Sequence, residues 1–322
     1  MIHTDVIIVG GGPGGAACAR RLVQLGVECL VLDRAVFPRP KLCAGWLSDG
    51  VFQALGIKPT EYPLLLTIFS SSSIHFKRLH ITLPIHPYAI RRLEFDDWLL
   101  RLSGAPFHQH TVQHIKATHD GYEIDGEYSC KYLVGAGGTF CPVYRELFAE
   151  QYPRDPRLLI TALEEEFIHP AADRQVRMWF FQDQLPGYAW YAPKSGGYLN
   201  VGIGAAERLM RARGTTLRQH WDLYIDKLEA RGLISDHQFH PTGHSYYLRS
   251  DTPPLRHENA FLVGDAAGLA TRDMGEGIYP AVMSGVLAAG AIAQETTYSI
   301  RSIPLYSNGI LGRYFFHQIA GD

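Results

Sequence analysis

The chain has 322 residues, 46% of them hydrophobic and 19% charged, a balance that allows a substantial core and excludes a disordered polymer. Its formal net charge is -2 at pH 7 and no basic run or stripe occurs, which argues against nucleic acid as a partner. The longest strongly apolar stretch, Ala281 to Ala293, has 13 residues between Glu276 and Glu295, too short to span a bilayer.

No signal peptide precedes the first apolar run, so the expected location is cytoplasmic, with docking at a membrane surface left open. That run, Val6 to Val9, reads as a buried parallel strand. Gly10, Gly12 and Gly15 follow at GxGxxG spacing, and Ala16 to Leu25 reads as an amphipathic helix. Gly10 permits a tight turn, Gly12 lets a pyrophosphate approach the backbone, and Gly15 lets helix and strand pack closely. The helix N-terminus offers free N–H groups to the phosphates. A second apolar run, Cys29 to Leu32, ends in Asp33, 18 residues past Gly15, where a ribose-binding carboxylate is expected.

Next comes a structured loop from Phe37 to Ser48, with Ser48 placed to cap a helix over Asp49 to Leu55. Residues 64 to 84 read as two or three strands. Arg91 to Leu102 is helical, with Leu93, Trp98 and Leu102 on the core face. Short strands fill Phe107 to Tyr132, and a buried strand then runs into Gly135-Ala-Gly-Gly138. Leu158 to Phe167 and Val176 to Phe181 are extended. Tyr188 to Pro193 and Tyr198 to Ile203 flank the turn Lys194-Ser-Gly-Gly197 and form a hairpin. Thr215 to Arg231 is a helix, Ala260 to Gly268 a strand ending in glycine, and residues 277 to 294 the last strong helix, with Pro280 tolerated in its first turn.

Five cysteines without a CxxC pair, and fifteen histidines without HExxH spacing, suggest neither a metal site nor an iron–sulfur cluster. Nucleotide-type strands at residues 6, 29, 132 and 260 are interrupted by an antiparallel block. The expected fold is therefore α/β, a Rossmann-like dinucleotide domain interleaved with a mainly antiparallel β-sheet domain. The boundaries expected are 1–60, 88–156 and 256–295 for the first, 61–87 and 157–255 for the second, and 296–322 for a short tail.

Taken together, these residues resemble FAD-dependent oxidoreductases of the glutathione-reductase-like class, and within it the geranylgeranyl reductase family, whose relatives include aromatic hydroxylases. The matches are the fingerprint with Asp33; Lys41-Leu-Cys-Ala-Gly-Trp-Leu-Ser48, similar to the family's loop over the flavin; Arg92-Leu-Glu-Phe-Asp-Asp-Trp-Leu99; Tyr188-Ala-Trp-Tyr-Ala-Pro193 on the substrate side; and Gly264-Asp-Ala-Ala-Gly268 followed by Gly275-Glu-Gly-Ile-Tyr279. The resemblance implies FAD as the cofactor, with NAD(P)H or a redox protein as electron donor. It implies cofactor contacts from Gly10, Gly12, Pro13, Gly14, Gly15, Asp33, Arg34, Lys41, Cys43, Ala44, Gly45, Arg92, Gly137, Gly264, Asp265, Gly275, Glu276, Gly277 and Ile278. Asp265 would bind the ribityl chain and Gly275 to Gly277 would sit against the flavin ring. A helix starting near Gly277 would aim its positive end at the reduced flavin.

Four features depart from the family pattern. Gly137 replaces the acid of a Gly-Ala-Asp-Gly motif, which bears on NAD(P)H handling. Arg272 stands where a proline is expected and Ala192 where a phenylalanine is. The chain also stops about thirty residues after the last matched helix, where relatives usually continue, which bears on closure of the substrate pocket. The activity implied is reduction of a carbon–carbon double bond in an isoprenoid or similar apolar lipid. Cys43, Tyr188 and Tyr279 are candidate proton donors, and Trp190 shares a strand face with Tyr188 as an apolar wall. The same motifs also serve an FAD monooxygenase of an aromatic or apolar substrate, and a flavin-binding protein without activity is the third reading.

Overall fold

The structure, a computed structural model, describes residues 1–76, 79–83, 88–169 and 173–307. Its first sheet is built around Ile2–Val9, which pairs in parallel with Tyr128–Gly135 on one side and Cys29–Asp33 on the other. Ala260–Leu262 and Phe107–Gln109 extend it outward, also in parallel. Residues 6 to 9 are all buried because both faces are covered. Val6 and Ile8 point into a core shared with the helices Pro13–Gln24, Arg92–Ser103 and Ile278–Ile292, while Ile7 and Val9 point into a second core on the opposite side. This two-sided burial is why the strand reads as a continuous apolar run.

The second sheet has seven strands in the order Thr242–Tyr247, Leu159–Ile168, Tyr198–Ala206, Gly187–Lys194, Gln175–Phe180, Ser71–Phe76 and Leu79–Leu83. All pairings are antiparallel except that between Gln175–Phe180 and Ser71–Phe76. Period-two alternation gives it two unlike faces. Tyr191, Val201 and Ile203 pack beneath the helix Leu217–Ala230, against Trp221, Tyr224 and Leu228. The other face, carrying Ala162, Glu164, Tyr188, Trp190 and His244, is turned toward the first sheet. A small third sheet joins Trp46–Leu47, Tyr88–Ala89 and Thr67–Ile68.

The expected α/β plan with two interleaved sheets is present, and the hairpin around Lys194–Gly197 forms as read. Some local expectations differ. Ser48 precedes the helix Asp49–Leu55 but its hydroxyl makes no capping bond; it reaches Glu276 Oε1 at 3.4 Å instead. The buried face of Arg92–Ser103 carries Arg92, Phe95, Asp96, Leu99, Leu100 and Ser103, so the frame is one residue off the expected one and Leu93 is not in the core. Trp98 and Leu102 pack at the margin of that core. A short helix, Glu207–Arg213, was not foreseen. Of the expected tail, residues up to 307 pack back on the fold, with the Arg249 guanidinium donating to the carbonyls of Ile300 and Ile303. Positions 77, 78, 84–87, 170–172 and 308–322 of the expected segments lie outside the described residues. No helix among the described residues is long and apolar enough to cross a membrane.

Contacts of the first helix with the last helix and with the end of the first strand depend on missing side chains. A Cβ on Gly285 would lie 2.1 Å from the Gly14 carbonyl oxygen, and one on Gly15 would lie 1.9 Å from that of Gly10. Because the obstacles are backbone atoms they cannot rotate away. Gly285→Ala is therefore expected to destabilise the protein by about 3 kcal/mol, the upper range for an overpacked core, measured as a lowered urea midpoint. An unchanged midpoint would show that the two helices are free to slide apart.

Candidate active site

At the C-terminal end of the first strand the backbone turns sharply at Gly10, whose φ is +116°. Gly12 then opens the helix Pro13–Gln24 as its N-cap. Unlike its neighbours, Gly12 has space above it: the nearest atom to an added Cβ is Arg39 Nη2, 3.5 Å away. An accessible backbone under a guanidinium, at a helix N-terminus, is what an anionic pyrophosphate requires. Asp33 ends its strand beside this cradle. Its Oδ2 accepts from the Gly11 amide at 2.7 Å and Oδ1 from the Ala35 amide at 2.9 Å. The carboxylate is thus fixed in place, with lone pairs left for ribose hydroxyls.

Arg92 and Asp96 stand one helical turn apart and form a buried bidentate pair at 2.7 and 2.8 Å. Burial alone would lower the Arg92 guanidinium; Asp96 more than offsets this and pushes it up, with Cys43 adding to the effect. Arg39 Nη2 also approaches Asp96, at 3.4 Å. One buried carboxylate therefore orients two arginines, one toward the cradle and one toward Cys43.

The loop Lys41–Gly45 is clamped from both sides. Gly45 has φ +74°, and a Cβ there would lie 2.1 Å from the Ile90 carbonyl oxygen, so only glycine fits. From the second sheet, Lys194 Nζ donates to Glu166 Oε2 at 2.7 Å and to the Cys43 carbonyl at 3.4 Å. Glu166 also accepts from Arg91 at 2.7 Å. Its carboxyl is held below the usual range because Lys194 and Arg91 outweigh burial.

On the far side, the 264–278 segment folds against the second sheet. The Tyr188 hydroxyl donates to the Met274 carbonyl at 2.6 Å. A Cβ on Gly275 would lie 2.3 Å from the Tyr246 hydroxyl oxygen. Among the described residues nothing donates a hydrogen bond to the Asp265 carboxylate, which leaves it available to hydroxyls of a ligand. It does not cap the helix Ile278–Ile292, whose N-cap is Gly277. Glu276 points the other way, toward Ser48 and Ser307.

Between these segments lies the inward face of the second sheet. The Trp190 indole lies flat on Gly202, where a Cβ would come within 2.1 Å, and donates to Asn200 Oδ1 at 2.6 Å. Asn200 in turn donates to Glu164 Oε2 at 3.3 Å. Glu164 is fully buried, and burial pushes its carboxyl up to about 7 against the opposing pull of Lys194, Asn200 and Lys41. His244, on the neighbouring strand, is driven down to about 3 by burial and then by Lys41 and Arg92.

Comparison with known proteins gives this geometry a context. A family described as FAD binding domain matches residues 3–55. An uncharacterised protein of Methanosarcina barkeri is 31% identical over 92% of this chain and 76% of its own length. A digeranylgeranylglycerophospholipid reductase of Methanosphaera stadtmanae is 25% identical over 93% of this chain and 78% of its own. A geranylgeranyl bacteriochlorophyll reductase-like structure from Thermoplasma acidophilum has a TM-score of 0.80 at 23% identity, covering 94% and 81% of the two chains. The chain belongs to the geranylgeranyl reductase family. It is an FAD-dependent oxidoreductase of that type. The fold itself is shared more widely: a probable FAD-dependent monooxygenase from Pseudomonas aeruginosa has a TM-score of 0.72 at 16% identity, covering 99% of both chains.

As a geranylgeranyl reductase family member, the chain presents residues that suit FAD: the open cradle at Gly12, the fixed Asp33, the unengaged Asp265 and the glycine-lined approach at Gly275 to Gly277. Gly10, Pro13, Gly14, Gly15, Gly264 and Ile278 shape the backbone around these positions. Lys41, Cys43, Ala44 and Gly45 lie in the loop between the two sheets, and Arg92 opens the helix Arg92–Ser103 beside Cys43. Gly137 follows the strand next to Gly10, whose missing Cβ points at the Gly137 nitrogen 2.7 Å away. Arg34 is exposed, with its carbonyl accepting from Gln109. Tyr188 and Trp190 meet at 5.7 Å between ring centroids, whereas the Tyr279 ring is packed on Gly50, where a Cβ would lie 2.8 Å away.

Sequence reasoning missed Arg39, Glu164, Glu166, Lys194, His244 and Tyr246. A usable signal was present for Glu164 and Glu166: they stand two apart, and so on one face, in the acidic run Glu164–Glu165–Glu166 of the strand Leu159–Ile168. His244 had none among fifteen histidines.

Two substitutions separate folding from cofactor binding. Gly12→Ala has room for its methyl group, so the apoprotein should keep its stability within about 1 kcal/mol, while FAD affinity falls at least about tenfold because the backbone is screened from the pyrophosphate. Arg39→Ala should weaken FAD by about tenfold, most at low ionic strength. Flavin fluorescence titration measures both, and wild-type affinity in both variants would remove the cradle assignment.

Proposed function

We propose that this geranylgeranyl reductase family member saturates carbon–carbon double bonds of an isoprenoid or similarly apolar lipid. The observation that carries the reading is the apolar floor on the inward face of the second sheet. Register puts Gly204, Tyr188, Phe180, Phe76 and Leu79 in one cross-strand row, and Gly202, Trp190, Met178, Ile74 and Ile81 in the next. Beyond Gly204 and Gly202 the rows continue to Ala162 and Glu164, Tyr188 joins the first row to the 264–278 segment through Met274, and at the other end lies the edge strand, where Leu79, Ile81 and Leu83 are exposed. A long, flexible apolar chain matches such a surface; a small polar substrate would leave most of it wet. Relatives named as reductases of geranylgeranyl lipids support the same reading.

When bound, reduced FAD supplies hydride to one carbon of the double bond. The chain does the rest. The Tyr188 and Trp190 rings, held by Met274 and Asn200, give the lipid a rigid support, so that a double bond laid across them keeps one orientation. Lys194, through Glu166 and the Cys43 carbonyl, keeps the Lys41–Gly45 loop over that support. Their aromatic surface also excludes water from the reacting carbons.

An anaerobic assay tests the reading. The holoenzyme is reduced with dithionite, a geranylgeranyl lipid is added, and flavin absorbance and lipid mass are followed together. Reoxidation without oxygen, with two hydrogens added per flavin, is the expected result. Reoxidation only on admitting air, with an oxygenated product, would replace this reading with a monooxygenase.

A further inference from the structure

Saturating a double bond takes a proton as well as a hydride, and the proton needs a donor held beside the second carbon. Of the donors suggested by the motifs, one hydroxyl is already committed. The Tyr188 hydroxyl is committed to the Met274 carbonyl, the Cys43 sulfur accepts from the Gly45 amide at 3.3 Å, and Tyr279 is packed on Gly50. Two other groups on the same sheet face stand out because each has one buried polar atom that makes no hydrogen bond. Glu164 Oε1 is buried without a hydrogen-bond partner, and so is His244 Nδ1. They face each other at 3.7 Å, outside hydrogen-bond range. Each unpaired buried atom costs about 1–3 kcal/mol, and a small rotation that joins them removes both costs. The His244 side chain keeps 20% of its surface exposed while Glu164 has none, so the imidazole is the outer member of the pair.

Building on the alkene-reductase reading, we propose that Glu164 and His244 form the proton relay of this site, with His244 delivering the proton to the lipid and Glu164 supplying it from behind. In the step, the Glu164 Oε1–H bond breaks and its proton joins His244 Nδ1. The His244 Nε2–H bond breaks, and the π electron pair of the alkene takes that proton on one carbon as hydride from reduced FAD arrives at the other. The alkene is reduced by two electrons and the flavin is oxidised by two; the relay resets as the His244 Nδ1 proton returns to Glu164 Oε1 and Nε2, on the exposed side, takes a proton from water. His244 is the catalytic residue; Glu164 acts through it.

Surrounding charges suit these roles. Lys194, Lys41 and Asn200 favour a Glu164 anion and Glu166 disfavours it, with burial the largest influence; Tyr188 and Tyr246 face it uncharged. Burial first, and then Lys41 and Arg92, keep the His244 imidazole neutral and ready to accept. The donor form of Glu164 is lost as pH rises through about 7, so lipid-driven flavin reoxidation should fall above that pH.

The test uses reduced, FAD-loaded enzyme with a geranylgeranyl lipid, over a range of pH, in wild type, Glu164→Gln and His244→Gln. Both variants should slow reoxidation by about a hundredfold or more, and Glu164→Gln should lose the fall near pH 7. FAD content and dithionite reduction should match wild type. Independently of turnover, redox-difference infrared spectra of the holoenzyme at pH 6 should show a protonated-carboxyl band that Glu164→Gln removes. Wild-type rates and pH profile in either variant would overturn the relay, as would absence of the band in wild type. A wild type that shows the band but never transfers hydrogen to any isoprenoid would overturn the alkene-reductase reading, and the relay's catalytic role with it, while leaving the protonated Glu164 established.

Discussion

The Lys194 ammonium is the link on which the site depends. Its side chain is 1% exposed, and a buried cation is tolerated only where its partners are fixed. Here the partners are Glu166, two strands away across Tyr198–Ala206, and the Cys43 carbonyl in the loop between the sheets. The Lys41–Gly45 loop is thereby tied to the sheet by a charge that has nowhere else to go. Arg91 closes the network on the helix side, so helix, loop and sheet share one set of oppositely charged groups.

Close backbone approach is the second constraint, and it explains where glycine is indispensable. At Gly15 and Gly285 the absent side chain lets two helices and a strand meet. At Gly202 it lets an indole lie flat against a strand. At Gly12 the same absence leaves open space instead. One residue type thus builds packing in some places and a ligand surface in another, and only the three-dimensional surroundings distinguish the two.

That distinction accounts for what was legible in the sequence. The Val6–Gly15 fingerprint, Asp33 and the Tyr188–Trp190 strand were readable because local rules govern them: period, turn chemistry and residue spacing. The frame of the Arg92–Ser103 helix was misread because a buried ion pair, Arg92 with Asp96, occupies positions that a hydrophobicity pattern assigns to the surface. Arg39, Lys194 and His244 were invisible for a related reason. Each acquires its role from a residue more than fifty positions away, and no local pattern encodes such a partner. Ser48 shows the converse, a well-placed cap residue drawn instead to Glu276 across the fold.

The two faces of the second sheet sharpen the argument about where reactivity resides. The face beneath the Leu217–Ala230 helix is filled mainly by apolar contact, with Leu199, Val201 and Ile203 packed beside the rings of Trp179 and Tyr191. The opposite face also carries Glu164, Glu166, Lys194, Asn200 and His244, whose burial is costly unless each is paired. Lys194, Glu166 and Asn200 are paired, and they hold the loop and Trp190. Glu164 Oε1 and His244 Nδ1 are not. A sheet stabilised by apolar packing alone would gain from leucine or valine at these two positions. Keeping an acid and a base unjoined, 3.7 Å apart and beside the surface proposed for the lipid, serves proton movement and offers nothing to stability.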